Sequence, residues 1–592
     1  MYNWKGYKAV SPNETIERIR QILSKNGIQT ECRKFGKDGI CSSVRVILSD
    51  NKLGRLDIGT NGKGMNEDYA VASAYAEFME RLQNKMLIFT SKYASPLFRT
   101  NNPALVDNYP EALSFRYFPD EEYRRIDNIE LCHMAHKFLP GNILFGDSSL
   151  KAFYDMPFLP FYNVRKREVE QLPYDLIRFA AGSTGLCAGN TAEEAMLQGL
   201  NEIFERYVLQ QIYLRHPLLP KVDFSYFNGS DIGESLTRLN KLTGWEFEIM
   251  DCSLGGLFPV MGLYIANKEE RTYTFRLGAD YSPAIALQRC LTEIFQGTDI
   301  DNSPFLPMES MNSNWNISEE FRKNVINGRG QFPPEILQGK QIPSPFIILD
   351  KKPTIKDTFY SAIQWLDNNG YTLYVRDNSF LSFPSYHLYI PGLSDVNHSL
   401  YNIRRDILSI DQYYEIKKEY RIKSLSANEI KTLINQYRSD STTHIMLFDY
   451  LPPRHNRINK NLLLALLAFK VHDCDAHTYM SAFLNDMEAR NIRLNPYYYC
   501  LKDYMSLAYS NTSSENIRQE LLNNYHEETV NDVLKIIPEN ILDGLPLPDC
   551  FNCSSCSFSC ECFYSQIIEF EARTQKYQTE NPINQSSLNL FL

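Results

Sequence analysis

The stretch AGNTAEEAMLQGLNEIFERY, residues 188–207, decides what kind of chain this is. Thr191 stands three residues before Glu194, the spacing of a capping box, and a helix is predicted to follow. At about 100° per residue, Glu194, Gln198, Asn201, Glu202 and Glu205 fall within an arc of about 100°. Leu200, Ile203 and Phe204 point elsewhere. One helix therefore carries a polar, mostly acidic stripe and an apolar one.

Its closing phrase NEIFERY, Asn201–Tyr207, has two counterparts: AEFMERL at Ala76–Leu82 and TEIFQGT at Thr292–Thr298. All three fit E-[FI]-[MF]-[EQ]. Residues three or four apart share a helical face, so Glu77 lies beside Glu80 and Glu202 beside Glu205. The third helix sets Arg289, Glu293 and Gln296 on one side and Leu287, Leu291 and Phe295 on the other. A single E-x-x-E is ordinarily a solvated helix face. Threefold recurrence of the phrase is another matter, and in two of the three it sets like charges together at a cost of several tenths of a kcal/mol per pair. The first face also continues through the small residues Ala70 and Ser73, leaving room for something to approach. Hard divalent cations prefer carboxylate oxygens, and magnesium commonly combines one or two of them with substrate phosphates.

The segments before the helices agree. Gly62-Lys63-Gly64 leads into the first, and Ala188-Gly189-Asn190-Thr191 into the second. Glycine permits close backbone approach, and helix N-termini attract phosphate. Neither is a P-loop: Gly64 follows Lys63 where Ser or Thr is required, and Asp57 occupies the position of the first glycine.

The chain has 592 residues, 71 acidic against 61 basic for a net charge of -10, and is 43% hydrophobic. That is a globular, multi-domain composition, and its negative balance argues against nucleic acid as a partner. The first residues carry charges where an export signal needs an apolar run of about 7 to 15 residues. The longest apolar run, Leu462–Phe469, falls far below the roughly 20 residues of a membrane span and reads as a buried core helix. The expectation is a cytoplasmic chain with no membrane partner, whose 13 cysteines are reduced thiols or metal ligands. Residues 1–400 mix helical periods with strand signals at Arg45–Ile47, Phe258–Tyr264, Tyr371–Val375 and Tyr386–Ile390, which predicts an α+β domain. Residues 401–545 read as successive helices, including Asn461–His472, Ala476–Arg490 and Ser513–Leu534, without a strict 34-residue repeat. Residues 546–592 form a cysteine-rich segment and a polar tail, and Arg573–Asn589 has so little to bury that mobility is expected.

TNGKG with ASAYAEFMER, then AGNTAEEAMLQGLNEIFERY, then ALQRCLTEIFQG, in that order, resemble the motifs of the YcaO family. DCSLGGLFPV (Asp251–Val260) and IPGLSDV (Ile390–Val396) resemble its long, stand-alone type, which ends in a helical, TPR-like domain; the likeness runs from residue 1 to about 540. The resemblance implies a fold that binds ATP and several magnesium ions in a cleft of its own, commonly as a homodimer. It implies Glu77, Glu80, Glu202, Glu205 and Glu293 as magnesium ligands or their neighbours. Lys8, Thr15, Lys63, Cys187, Asn190, Glu194, Arg206, Arg289 and Gln296 match nucleotide positions, with Glu202, Glu205, Arg206 and Arg289 carrying the chemistry. Cys187 and Thr298 depart from the long type, which has serine and arginine there.

The activity so implied is ATP-dependent O-phosphorylation of a peptide-backbone amide, giving an azoline from a neighbouring Cys, Ser or Thr or a thioamide from sulfide. The final SSLNLFL lacks the PxPxP terminus of azoline-forming members, and no leader-binding domain is recognisable. The long type is associated with β-methylthiolation of a ribosomal protein, as accessory to a radical methylthiotransferase. Partners so implied are a peptide or protein substrate and a sulfur-donor protein or radical methylthiotransferase; the alternative is a nucleotide-binding accessory protein without turnover.

Cys550, Cys553, Cys556, Cys560 and Cys562 crowd five thiols into thirteen residues. Their C-x2-C-x2-C-x3-C spacing resembles a bacterial ferredoxin run, though Glu561 follows where that run has proline. A zinc knot, an iron-sulfur site and unligated thiols all stay open.

Overall fold

The computed structural model describes residues 8–35, 40–88, 118–138, 155–297, 305–308, 316–347, 354–396, 422–439, 442–446, 457–510, 512–536, 541–544, 547–548 and 553–590. Contacts divide the chain into two units. The first comprises Met1–Lys92, Arg116–Asp411 and Glu569–Leu592, and the second Tyr93–Phe115 and Gln412–Ile568.

Three sheets organise the first unit. In the smallest, β1 (Thr30–Phe35), β2 (Ser42–Leu48) and β3 (Gly59–Gly64) pair antiparallel in chain order. Helix α1 (Pro12–Lys25) opens with a complete capping box between Ser11 and Glu14, and α2 (Glu67–Gln83) lies on β3. The approach is close enough to require glycine. A Cβ on Gly62 would stand 2.0 Å from the Ala70 carbonyl oxygen and 2.3 Å from the Ala74 nitrogen. The GKG segment, expected to approach phosphate, is thus also a packing device.

The second sheet runs β12-β11-β10-β9-β8-β13, built from β8 (Lys221–Val222), β9 (Glu246–Asp251), β10 (Val260–Asn267), β11 (Thr272–Ala279), β12 (Leu306–Pro307) and β13 (Gln341–Ile342). The third runs β4-β5-β14-β15-β7, with β6 (Glu168–Pro173) paired to β5. Its other strands are β4 (Glu122–Arg125), β5 (Asp155–Asn163), β7 (Leu186–Ala188), β14 (Tyr374–Asp377) and β15 (Ser385–Tyr389). All four strand signals read from the sequence in residues 1–400 fall in or overlap β2, β10, β14 and β15, as expected of an α+β domain.

Helix α3 (Ala192–Arg215) is the spine of the unit. Its Met196, Leu200, Ile203, Phe204 and Ile212 sit in one continuous core with Phe275 of β11 and Leu388 of β15. Burying those five side chains stabilises the unit by about 2 kcal/mol each. A left-handed His216 at φ 46° ends the helix. Helix α4 (Pro283–Ile294) packs on β11 across Gly278, where a Cβ would meet the Ala286 carbonyl oxygen at 2.2 Å. Helix α5 (Ile355–Asn368) adds Phe359, Ala362 and Leu366 to the α3 core.

The second unit is mainly helical: α6 (Ala427–Ser439), α7 (Lys460–Lys470), α8 (Ala476–Ala489), α9 (Pro496–Tyr509), α10 (Ser514–Asn524) and α11 (Glu527–Ile536). Residues 462–468 are buried, as the apolar run predicts. Two features differ from expectation. A strand pair, β16 (His444–Met446) with β17 (Arg457–Asn459), lies within the region expected to be helical. The helix expected over Ser513–Leu534 is also broken, because Tyr525 turns extended (φ -131°, ψ 152°) and its hydroxyl donates to Asp503 at 2.7 Å. No helix among the described residues is long and apolar enough to cross a membrane.

The polar tail is the clearest correction. Residues expected to be mobile form α12 (Tyr564–Glu580) and a 3-10 turn over Gln585–Leu590. Glu571, Thr574, Gln578 and Gln585 are buried. Low apolar content misled here: Thr574 and Gln585 are held by hydrogen bonds and Glu571 by an ion pair with Lys85, while Gln578 is buried with neither amide atom bonded. The Tyr577 hydroxyl donates to the Asn26 carbonyl at 2.7 Å, and the Arg573 guanidinium to the Gly27 carbonyl at 3.2 Å.

Candidate active site

A cavity of about 410 Å3 opens in the first unit, bordered by α1, α2, α3, α4 and the end of β3. That volume lies in the range of small-molecule sites. Helix α2 supplies Glu77 and Glu80, α3 supplies Glu194, Glu202, Glu205 and Arg206, and α4 with its C-terminal turn supplies Arg289, Glu293 and Gln296. Lys8, Thr15, Lys63 and Asn190 line it from the segments between.

One end is a hydrogen-bonded frame. The Thr191 side chain accepts from the Glu194 N–H, as capping-box spacing predicts, but the Glu194 carboxylate turns elsewhere. It accepts from the Ala9 N–H at 2.9 Å and from Asn190 at 3.1 Å, and pairs with Lys8 at 3.3 Å. These partners hold it below the usual carboxylate range against the opposing effect of burial. The Thr15 hydroxyl donates to Asn190 at 3.0 Å, completing the frame.

The other end concentrates charge. Arg81 reaches Glu77 and Glu80 at 3.5 Å each, while Lys63 pairs with Glu293. Burial raises the Glu80 carboxyl well above its ordinary value against the pull of Arg81, and neighbouring Glu202 and Glu77 raise it further. Burial likewise raises Glu202, against Arg206 and Arg81 and with Glu205 and Glu77. It pushes the Lys63 ammonium down to about 8 despite Glu205 and Glu77. Arg289 donates to Gln198 at 2.7 Å and faces Asp280 at 3.4 Å, and Arg206 donates to the Val325 carbonyl at 3.3 Å.

This donor set fits magnesium. Four glutamates crowd one wall, two of them electrostatically strained towards the protonated form, and the buried Asn201 Oδ1 has no hydrogen-bond partner. Carboxylate and amide oxygens are the ligands a hard cation takes, and a cation bound there would relieve the repulsion.

Every site residue read from the sequence outside the cysteine run lines this cavity except Cys187. Cys187 is fully buried on β7, bonded to the Tyr386 carbonyl at 3.6 Å and packed under Gly199 of α3. It lies behind the acidic wall. Thr298 and Cys550 fall outside the described residues. Among the described residues, the sulfurs of Cys553, Cys556, Cys560 and Cys562 do not bring three ligands within 4.8 Å of one another. Cys562 Sγ accepts from the Tyr564 N–H at 3.5 Å.

Two charged cavity residues escaped the sequence reading. Arg81 is adjacent to Glu80, and pairing only the glutamates hid that it also stands four residues after Glu77. Asp280 follows the end of a strand, where no periodicity marks it.

With the geometry in place, comparison is informative. A family model described as YcaO cyclodehydratase, ATP- and Mg2+-binding, matches residues 61–394, more than half of the chain. The chain belongs to the YcaO family. Its YcaO domain contains α2, α3 and α4, hence the whole acidic wall. The Escherichia coli ribosomal protein S12 methylthiotransferase accessory factor YcaO is 25% identical over 434 residues, covering 70% of this chain and 72% of that protein. An uncharacterized Haemophilus influenzae protein is 26% identical over 348 residues, 57% of each chain. Among solved structures, a YcaO from Methanopyrus kandleri bound with AMPPCP and Mg2+ aligns at 15% identity over 68% of this chain and 96% of that one, with a TM-score of 0.43.

Proposed function

We propose that this YcaO chain uses ATP and magnesium to phosphorylate the oxygen of a peptide-backbone amide. The observation that supports it best is the convergence of three acidic helices on a cavity framed at its far end by Lys8, Thr15, Asn190 and Glu194. An amide oxygen cannot leave as oxide at neutral pH. A nucleophile adds to the carbonyl carbon, the resulting oxyanion attacks the γ-phosphorus, ADP departs, and the oxygen then leaves as inorganic phosphate. The nucleophile's proton, and for an azoline the amide N–H proton as well, passes to solvent or a base.

Such transfer depends on positioning and charge neutralisation. Glu77, Glu80, Glu202, Glu205 and Glu293 would hold magnesium, which supplies positive charge to the phosphate oxygens when bound. Arg206 and Arg289, both lining the cavity, oppose the negative charge that develops in transfer. Lys8, Lys63, Asn190, Glu194 and Gln296 hold and orient the nucleotide.

The product follows from the nucleophile: sulfide gives a thioamide and a neighbouring Cys, Ser or Thr an azoline. The likeness to the E. coli accessory factor favours a protein substrate handled together with a methylthiotransferase. The second reading is a nucleotide-binding accessory protein without turnover. One assay separates them: ATP, magnesium, sulfide and a candidate peptide are incubated with the full chain, and phosphate release is followed with peptide mass. Coupled release and mass change are expected. Release that survives in both Glu202→Ala and Glu205→Ala removes the site assignment, and no release with any partner leaves the accessory reading.

A further inference from the structure

Helix α2 ends in three consecutive polar side chains, Gln83, Asn84 and Lys85, whose exposures are 0, 1 and 3%. Buried polar groups persist where they are bonded, and each of these grips a different segment. Gln83 donates to the Phe383 carbonyl and accepts from the Leu381 N–H, both at 2.8 Å. Asn84 donates to Ser385 Oγ at 3.0 Å and to the Glu80 carbonyl at 2.9 Å, and accepts from Asn378 at 2.8 Å. Lys85 sits in the left-handed region at φ 58°, where its ammonium donates to Thr574 Oγ1 and lies 3.5 Å from Glu571 Oε2. Both partners belong to α12, the helix made of the polar tail, and are 1% and 5% exposed.

A buried ion pair contributes little net stability, because desolvation offsets most of its attraction, and its best-attested use is to fix register. The register fixed here is that of α2, which carries Glu80 and Glu77 within the preceding turns. The α12 end is itself anchored: Tyr577 bonds Asn26, and Gln585 beyond it accepts from the Asp377 N–H at 2.8 Å and donates to the Asp377 carbonyl at 2.9 Å. None of the described residues from Glu569 onward lines the cavity.

We propose that Lys85, Glu571 and Thr574 form a latch that positions the Glu77 and Glu80 carboxylates, so that the C-terminal helix sets the magnesium affinity of a cavity it does not touch. The inference rests on the reading of that cavity as a magnesium-nucleotide site. Lys85, Glu571 and Thr574 are positioning residues, acting through the end of α2.

The test is calorimetric titration of magnesium with a non-hydrolysable ATP analogue into the full chain, with thermal melts in parallel. Glu571→Gln and Lys85→Met are each expected to weaken binding about tenfold, the lower end of the range in which supporting contacts act on a metal site. The double variant should bind no more weakly than Lys85→Met alone, since one contact is lost in each case. Thr574→Val, which removes only a hydrogen bond, should shift affinity in the same direction by less. Unchanged affinity with a lowered melting temperature makes the latch purely structural and overturns the proposal. If Lys85→Met fails to fold, Thr574→Val and Glu571→Gln decide it. A wild-type chain that binds no magnesium nucleotide overturns the reading of the cavity, and the latch with it.

Discussion

The chain holds two clusters of metal-ligating side chains, and they are assembled in opposite ways. Glu77, Glu80, Glu202, Glu205 and Glu293 are spread over more than two hundred residues of sequence, yet line one cavity. Cys553, Cys556, Cys560 and Cys562 fall within ten residues, and in neither cluster do three ligand atoms of the described residues lie within 4.8 Å of one another. One cluster is assembled by the fold, the other by the sequence. The glutamates ride on long helices whose apolar faces are locked into common cores, so burial of Leu200, Ile203 and Phe204 fixes where Glu202 and Glu205 point. The thiols occupy successive turns over residues 553–562 instead of one helix face.

The contrast can be broken most forcefully at the glutamates. Glu202→Ala or Glu205→Ala should lower ATP turnover more than about a hundredfold, measured as phosphate release, because each removes charge that magnesium and phosphate share. Near-normal turnover in both would make the acidic wall an ordinary polar face. Gly62→Ala attacks the scaffold instead. Its Cβ would meet the backbone of Ala70 and Ala74, which cannot yield without moving α2 off β3. A loss of about 2 to 3 kcal/mol in denaturant unfolding is expected, typical of overpacking against an unyielding contact. A stable variant with normal magnesium binding would show that α2 needs no such close seat.

His387 extends the comparison to a third ligand type, because this imidazole is 1% exposed, lies edge-on to Phe161 and Tyr174, and has neither ring nitrogen bonded. Burial, reinforced by Arg178 and Arg376, pushes its pKa from 6.5 down to about 3. The unfolded imidazole takes a proton as pH falls through about 6.5, whereas the folded one stays neutral to about 3. Stability therefore falls as pH drops across that window and is unaffected above it. In His387→Phe this part of the slope should vanish from melting temperatures recorded between pH 7 and pH 4; an unchanged slope would mean other groups govern it.

The smallest effect is expected at the thiols. Cys556→Ser and Cys560→Ser should leave magnesium-nucleotide affinity within about twofold, as for sites that share no partner with the cavity. A large loss would tie the cysteine run to the ATP chemistry and erase the contrast.

The acidic helices were legible because an amphipathic helix imposes a period of 3.6, and a phrase E-x-x-[EQ] written three times survives any tertiary arrangement. Sequence by itself determined the α+β layout, the magnesium-suited carboxylate pairs and, through motif order, the family. It could not determine the fate of residues without a period. Arg573–Asn589 looks unpackable by composition, and its partners, among them the carbonyls of Asn26 and Gly27, the side chain of Lys85 and the backbone of Asp377, lie hundreds of residues away in sequence. Cys187 matched a motif position, but strand pairing with Tyr386 turned it beneath Gly199 and away from the cavity. Periodic apolar burial is a local property that sequence records. The partner of a buried polar group is a matter of which segments the fold brings together, and that the tertiary structure alone decided.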